Sequence, residues 1–339
     1  MIRPMEDKAL TLYARMLKVG LIGFGGGSAL IPLLYRETVG SFIDEKAFNE
    51  DVTAASVTPG ALPVEIASGI GGRLAGRLGM LLSALAIALP GAVATTLLLS
   101  SGMLEILWVR YLSAVVSAWV IILLLRYVVE TQKKWLIILV FLVTCGKNMW
   151  KLLPLPGSPI YLTTLQVFLI AFVVQFIQGG LKLQLSRELL KDVMFLFAPV
   201  FVLLVLFPEA AGYAGRGCLS ILMSFGGGDA YLTVVDGIFI DTGILSSDDF
   251  YGTIVPLVNL LPGSILCKTL PAIGFMLGGW SWAAAGLLCS IAVSCSVFCA
   301  ARSIEMQKWD WIRPVVSGLM CTVALSLINQ IMRVVSSIL

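Results

Sequence analysis

Apolar tracts of roughly bilayer length recur along this chain, at 80–99, 106–125, 162–177, 193–207, 282–299 and 315–335. A helix needs about 20 such residues to cross the hydrocarbon core of a membrane. Lipid offers no water to pair exposed backbone groups, so only helices and closed barrels are stable there, and these tracts lack the period-two alternation of barrel strands. The sequence therefore predicts an all-α integral membrane protein, a polytopic helix bundle. Composition agrees: of 339 residues, 58% are hydrophobic and 13% charged, and the mean hydropathy is +0.96. Soluble domains lie far from those values. The charged N-terminus leads into a segment interrupted by Arg15 and Lys18, so no removable signal peptide is expected.

Within two further apolar segments an unusual run appears, Phe24-Gly25-Gly26-Gly27 and, 201 residues later, Phe225-Gly226-Gly227-Gly228. Three glycines in succession abolish helix propensity locally and let backbone amides approach another group closely. The match extends beyond the triplets. Arg15 aligns with Arg216 and Ser28 with Asp229 at an offset of 201, then Pro59-Gly60 aligns with Pro262-Gly263 and Gly71 with Gly274 at 203. A two-residue insertion in the charged connection after the triplet accounts for the shift. The correspondence fades in the later helices, where Pro90 faces Val293, and Leu89-Pro90-Gly91 predicts a kink or break in the helix that carries it. The expected organisation is a first repeat at 1–128, connecting transmembrane segments at 129–211 and a second repeat at 212–339.

Positive residues mark cytoplasmic loops, and here the bias changes side between the repeats. Arg73 and Arg77 occupy one turn of the first repeat, whereas the equivalent turn, 274–281, has no cation and the following one holds Arg302, Lys308 and Arg313. That pattern predicts repeats of inverted topology, with helices broken at the glycine-rich motifs.

Charges within such a bundle are costly and tend to mark a pathway. Glu65 lies in an otherwise apolar or small-residue tract, and the offset of 203 places Lys268 at the equivalent position, an acid mirrored by a base. Lys268 is expected to attract an anion while Glu65 balances it or exchanges a proton; the competing reading is that each pairs elsewhere for assembly alone. Gly25, Gly26, Gly27, Gly226, Gly227 and Gly228, with Pro59, Gly60, Pro262 and Gly263, are candidates to open helix ends toward a solute. Opened ends present N–H donors and a partial positive charge, which suits an anion; close helix packing is the alternative. Ser28 and Asp229 are candidate caps or solute contacts. Arg36 and Glu37 are candidate entrance residues or a solvated loop pair. Asp44, Glu45, Asp248 and Asp249 read as charges in the first turns of helices.

Other classes find little support. The chain has no histidine, no nucleophile elbow and no P-loop, since 71–77 lacks the Lys-Ser/Thr ending, and no polar stretch is long enough for a nucleotide-binding domain. The seven cysteines lie mostly in apolar tracts, so neither a metal site nor any cofactor is expected. A net charge of +3 gives no basis for a nucleic-acid partner.

The doubled order of motifs, Phe-Gly-Gly-Gly, an acidic connection ending near Phe48 or Phe250, Pro-Gly and a glycine-rich turn, resembles the chromate ion transporter family over roughly 10–100 and 212–300. Its two-domain members have duplicated halves of opposite orientation and are associated with moving chromate or sulfate across the bacterial plasma membrane. Where the family usually has Pro-Gly-Pro, this chain has Pro59-Gly60-Ala61 and Pro262-Gly263-Ser264, and the positions of Glu65 and Lys268 are commonly neutral and polar there. The resemblance implies a secondary transporter of a small oxyanion working by alternating access, multi-pass in a bacterial plasma membrane. Its partners would be a small inorganic or organic anion and the lipid bilayer, with a homodimer left open. A passive anion channel, or a non-transporting scaffold or enzyme subunit, is the alternative.

Overall fold

The structure is a computed structural model that describes residues 3–24, 27–101, 187–224, 228–240 and 242–303. Regular structure among the described residues is helical, apart from one bridge between Val39 and Ile43. The expected tracts 106–125, 162–177 and 315–335, and the connecting segments 129–186, lie outside the described residues.

The first repeat runs through α1 (Arg3–Ile22), a 3-10 turn (Gly27–Leu30), α2 (Ile31–Thr38), α3 (Glu45–Val57) and α4 (Leu62–Ser100). After α5 (Arg187–Leu206) come α6 (Ala211–Leu222) and α7 (Gly228–Val235), the latter continuing as a π-helical turn, Asp236–Ile240. A helical turn (Ser247–Asp249) and a second π turn (Phe250–Ile254) lead into α8 (Val255–Leu260), followed by α9 (Ile265–Gly278) and α10 (Trp280–Ser303). The acidic residues at 44–45 and 248–249 start helical segments as expected, and the Asp44 carboxylate caps α3 by accepting from the Ala47 amide at 2.7 Å.

At 39 residues α4 would measure about 58 Å if straight, nearly twice the hydrocarbon thickness of about 30 Å. It folds back instead. Ala75 (φ −136°, ψ 25°) and Gly76 (φ 60°, ψ −149°) reverse the chain, and the two arms then pack so closely that a side chain on Gly71 would put its Cβ 2.2 Å from the Gly79 carbonyl oxygen. The break expected at Leu89-Pro90-Gly91 is therefore absent: Pro90 sits in helical backbone with its ring toward Gly20 of α1. A proline costs one helical hydrogen bond, which packing can cover, whereas a reversal needs a residue at ease with positive φ.

Gly279 (φ 76°, ψ −155°) makes the same reversal between α9 and α10. The start of α4, Leu62, and its reversal at Gly76 stand 203 positions before Ile265, the start of α9, and the reversal at Gly279. The repeat thus persists through the later helices, where sequence comparison alone loses it. Gly40 and Gly243, both at positive φ, are also 203 apart, so the two extra residues of the second repeat fall between Gly228 and Gly243. The π turn lies in that stretch, and a π turn is how a helix takes up surplus residues.

Asp51 of α3 meets both Gly69 and Arg73 of α4, so α3 and the first arm of α4 run antiparallel as a hairpin with its tip at 58–61. With 13 residues, α3 is about 20 Å long and cannot cross a bilayer alone. Cys299, Arg302 and Ser303 of α10 share a cleft with Gly76, Arg77 and Met80 at the start of the second arm of α4. The later part of one equivalent helix therefore lies beside the start of the other. α10 forms the centre of the packing, against α4, α5, α6 and α9, whereas α5 exposes Met194, Phe201, Val202, Val205 and Leu206 as an apolar face suited to lipid.

Candidate functional site

The hairpin tips hold on to the opposite repeat. Gly60, at the first tip, donates its amide to the carbonyl of Ser224 at 3.0 Å, and Gly263, at the second, donates to the carbonyl of Gly23 at 2.7 Å. Gly60 and Gly263 are equivalent, and Gly23 and Ser224 each immediately precede the Phe of a Phe-Gly-Gly-Gly run. Each tip is thus fastened to the chain just ahead of the other repeat's glycine triplet. A contact that is reciprocated in this way is what a two-fold relation between the repeats produces. It also satisfies non-helical backbone that would be intolerable in lipid.

Around the first tip, φ of +141° and crowding both require glycine at position 60: an added Cβ would meet Glu65 Oε1 at 2.3 Å and Ser294 Oγ at 2.6 Å. The Ala61 amide donates to Ser294 Oγ at 3.0 Å. Glu65 is fully buried, as expected of a charge facing protein rather than lipid. Thr58 reaches Glu65 Oε2 at 2.8 Å, closer than the Ala54 and Ala55 carbonyls at 3.2 Å each, so its one hydroxyl proton points at the carboxylate. Among the described residues Glu65 Oε1 has no hydrogen-bond partner, nor does the hydroxyl of Ser224, whose carbonyl takes the Gly60 amide. Buried polar atoms left unpaired at one place are uncommon and call for an explanation.

At the second tip Lys268 is also buried, and its ammonium donates to the Leu261 carbonyl. Its aliphatic stem lies beside Gly91, where an added Cβ would come within 3.1 Å of Lys268 Cγ and Cδ and 2.7 Å of the Pro262 carbonyl oxygen. Gly91 is the counterpart of Ser294 at the offset of 203. One repeat uses this position to hydrogen-bond a tip, and the other leaves it empty to admit a lysine. Glu65 and Lys268 do not form an ion pair with each other among the described residues.

Gly27 opens the 3-10 turn that follows α1, and Gly228 opens α7 after α6, so both triplets fall at helix breaks. Ser28 and Asp229 lie in the first turns beyond those breaks. Gly25, Gly26, Gly226 and Gly227 are outside the described residues. Pro59 and Pro262 precede the tip glycines. Arg36 is exposed, while Glu37 is clamped between α1 and α2: its carboxylate accepts from Lys18 at 2.7 Å, and its carbonyl from Arg15 at 2.7 Å. The Lys18 ammonium holds the Glu37 carboxyl below the usual carboxylate range. Ser294, Ser224 and Thr58 complete the site without having been singled out as solute contacts from sequence. The offset that pairs Glu65 with Lys268, and Pro90 with Val293, sets Ser294 opposite Gly91 at the next position, but neither residue type marks itself as part of a site.

A family model described as chromate transporter matches residues 10–178 and 219–339. Among curated proteins, the chain is 36% identical over 85 residues to the uncharacterized transporter YwrB of Bacillus subtilis, covering 24% of this chain and 43% of that protein. It is 43% identical over 82 residues to the chromate transport protein of Pseudomonas aeruginosa, covering 24% and 20%, and 35% identical over 88 residues to the uncharacterized transporter MJ0718 of Methanocaldococcus jannaschii, covering 25% and 21%. The chain thus spans less than half the length of these relatives, which are named as transporters rather than enzymes. No solved structure matches it. With both halves of its sequence covered by one family model and the helices of both built to one plan, the chain belongs to the chromate transporter family.

Proposed function

We propose that this protein is a secondary transporter of a tetrahedral oxyanion of the chromate or sulfate kind, in the plasma membrane of a bacterium, and that it works by alternating access between inverted repeats. The observation that carries this reading is the buried group at the crossed tips: Glu65 Oε1 beside Gly60, without a hydrogen-bond partner among the described residues, with Ser224 bonded to the same glycine through its carbonyl and Lys268 at the equivalent place in the other hairpin. A polar solute moving between the tips would satisfy those atoms. Lys268 and the amides at the triplet breaks would hold the anion, and Glu65 would balance its charge or exchange a proton. The meeting of the later part of α10 with the start of α4's second arm supports inversion, as does the placing of Arg73 and Arg77 at one turn and Met276 and Trp280 at its equivalent.

Uptake of radiolabelled sulfate and chromate into proteoliposomes tests the proposal. Lys268→Met should reduce uptake by roughly a hundredfold, the scale expected when a desolvated charge partner is lost. Glu65→Gln should retain anion exchange but lose the response to an imposed pH gradient. Absence of uptake of either anion by well-folded wild-type protein would overturn it. A passive channel would instead keep conducting after a disulfide locks the two tips together.

A further inference from the structure

The cleft between the start of α4's second arm and the end of α10 is distinct from the tips. It has a volume of about 650 Å³ and is walled by Arg73, Arg77, Arg302 and Asp192, with Met80 and Cys299 contributing sulfur atoms 3.8 Å apart. Among the described residues, three guanidinium groups thus share a cleft with one lining carboxylate.

Their pairing is uneven. Arg77 is well matched, donating to Asp192 at 2.6 Å and to Glu188 at 2.5 Å. Arg73 forms a two-pronged pair with Asp51, at 3.0 and 3.3 Å, behind the wall of the cleft. Arg302 only approaches the same Asp51 oxygen, at 3.6 Å, beyond hydrogen-bond range, and lies over the Phe298 ring at 5.7 Å. One buried carboxylate is therefore asked to serve two guanidinium forks, and Arg302 receives the lesser share. A planar fork with unused donors, at about one-third exposure, is the usual means of gripping a doubly charged oxyanion. At the equivalent positions of the other repeat the offset of 203 replaces Arg73, Arg77 and Arg302 by Met276, Trp280 and Leu99.

We infer that this cleft is an outer binding site for a divalent tetrahedral oxyanion, held chiefly by Arg302 with Arg73 and Arg77, and present on one side of the protein only. The inference rests on the transport reading for its choice of ligand, though not for its test. The full chain carrying Ser303→Cys at the rim is placed in nanodiscs of neutral phosphatidylcholine. Its modification is followed by peptide mass spectrometry with an anionic and a cationic methanethiosulfonate. The anionic reagent should react faster at low salt, and sulfate should slow the reaction saturably, beyond the effect of chloride at equal ionic strength. Adding Arg302→Gln should raise the half-protecting sulfate concentration roughly tenfold, and Arg302→Lys should restore the charge preference with weaker protection.

Equal effects of sulfate and chloride, or unchanged protection in Arg302→Gln, would overturn the inference. Protection that appears only when phosphatidylglycerol is added would overturn it too, by giving the cleft to a lipid headgroup. Because labelling does not depend on transport, sulfate that protects but is not carried refutes only the transport reading. Sulfate that is carried without protecting refutes only the cleft.

Discussion

The first hairpin tip and the second share a backbone and differ in what surrounds it. Both carry a positive-φ glycine whose amide reaches across to the other repeat, yet Gly60 is boxed in by Glu65 and Ser294, while the nearest atom to a side chain on Gly263 would be Gly91 Cα at 3.5 Å. Duplication explains the common frame; the side chains have since diverged at the tips and at the reversals, where one repeat has Arg77 and the other Trp280. A pathway that is symmetric in its backbone can treat its two ends differently only through such substitutions, so these are the places to probe for direction and specificity.

The largest contrast is expected from the tip glycines. Gly60→Ala combines backbone strain with a contact to Ser294 Cβ at 2.8 Å and displacement of the Glu65 and Ser294 side-chain ends, and should destabilise the protein by about 3 kcal/mol, whereas Gly263→Ala should cost about 1–2 kcal/mol from φ alone. Thermal unfolding in detergent measures both, and equal losses would mean that the crowding at Gly60 is not an energetic feature. A smaller contrast concerns the position that differs between the long helices. Gly91→Ser would press on the Pro262 carbonyl and the Lys268 stem, and should cost about 1–3 kcal/mol by overpacking. Ser294→Ala removes one hydrogen bond from the Ala61 amide and should cost about 1 kcal/mol. The reverse ranking in the same assay would show that the lysine does not need the space.

The smallest effect lies at the α1–α2 clamp, which the second repeat lacks. Since Lys18 depresses the Glu37 carboxyl, the contribution of this pair is present above the ordinary carboxylate pKa and is lost as pH falls through the depressed value. Lys18→Met should therefore cost under about 1 kcal/mol at neutral pH and nothing once the carboxyl is protonated. A stability difference from wild type that persists at strongly acidic pH would assign Lys18 a packing role instead.

Much of this architecture could be read from the residues. The apolar tracts at 80–99, 193–207 and 282–299 lie in α4, α5 and α10, and the triplets coincide with helix breaks, because in lipid the length of an apolar run and a loss of helix propensity leave few options. The turn read at Arg73 and Arg77 is where the chain reverses, at Ala75 and Gly76, whereas Pro90, the louder local signal, stays within helical backbone. At the candidate site, Glu65 and Lys268 stand out as charges among apolar residues. Their partners do not: Ser294 is 233 residues from Ala61, and a serine in an apolar helix carries no local mark of the tip it supports.

The reciprocal fastening of the tips bears on how such a protein is made. While the chain emerges, the first hairpin is synthesised long before Ser224, so the Gly60 amide enters the membrane with its native acceptor not yet translated. Only when α6 arrives can that hairpin settle, and only then does Gly23, waiting since the start of synthesis, receive the second. Each half is the template on which the other finishes folding, so the membrane insertase, or the hairpin's own provisional pairings, must shelter the first half until the second is in place.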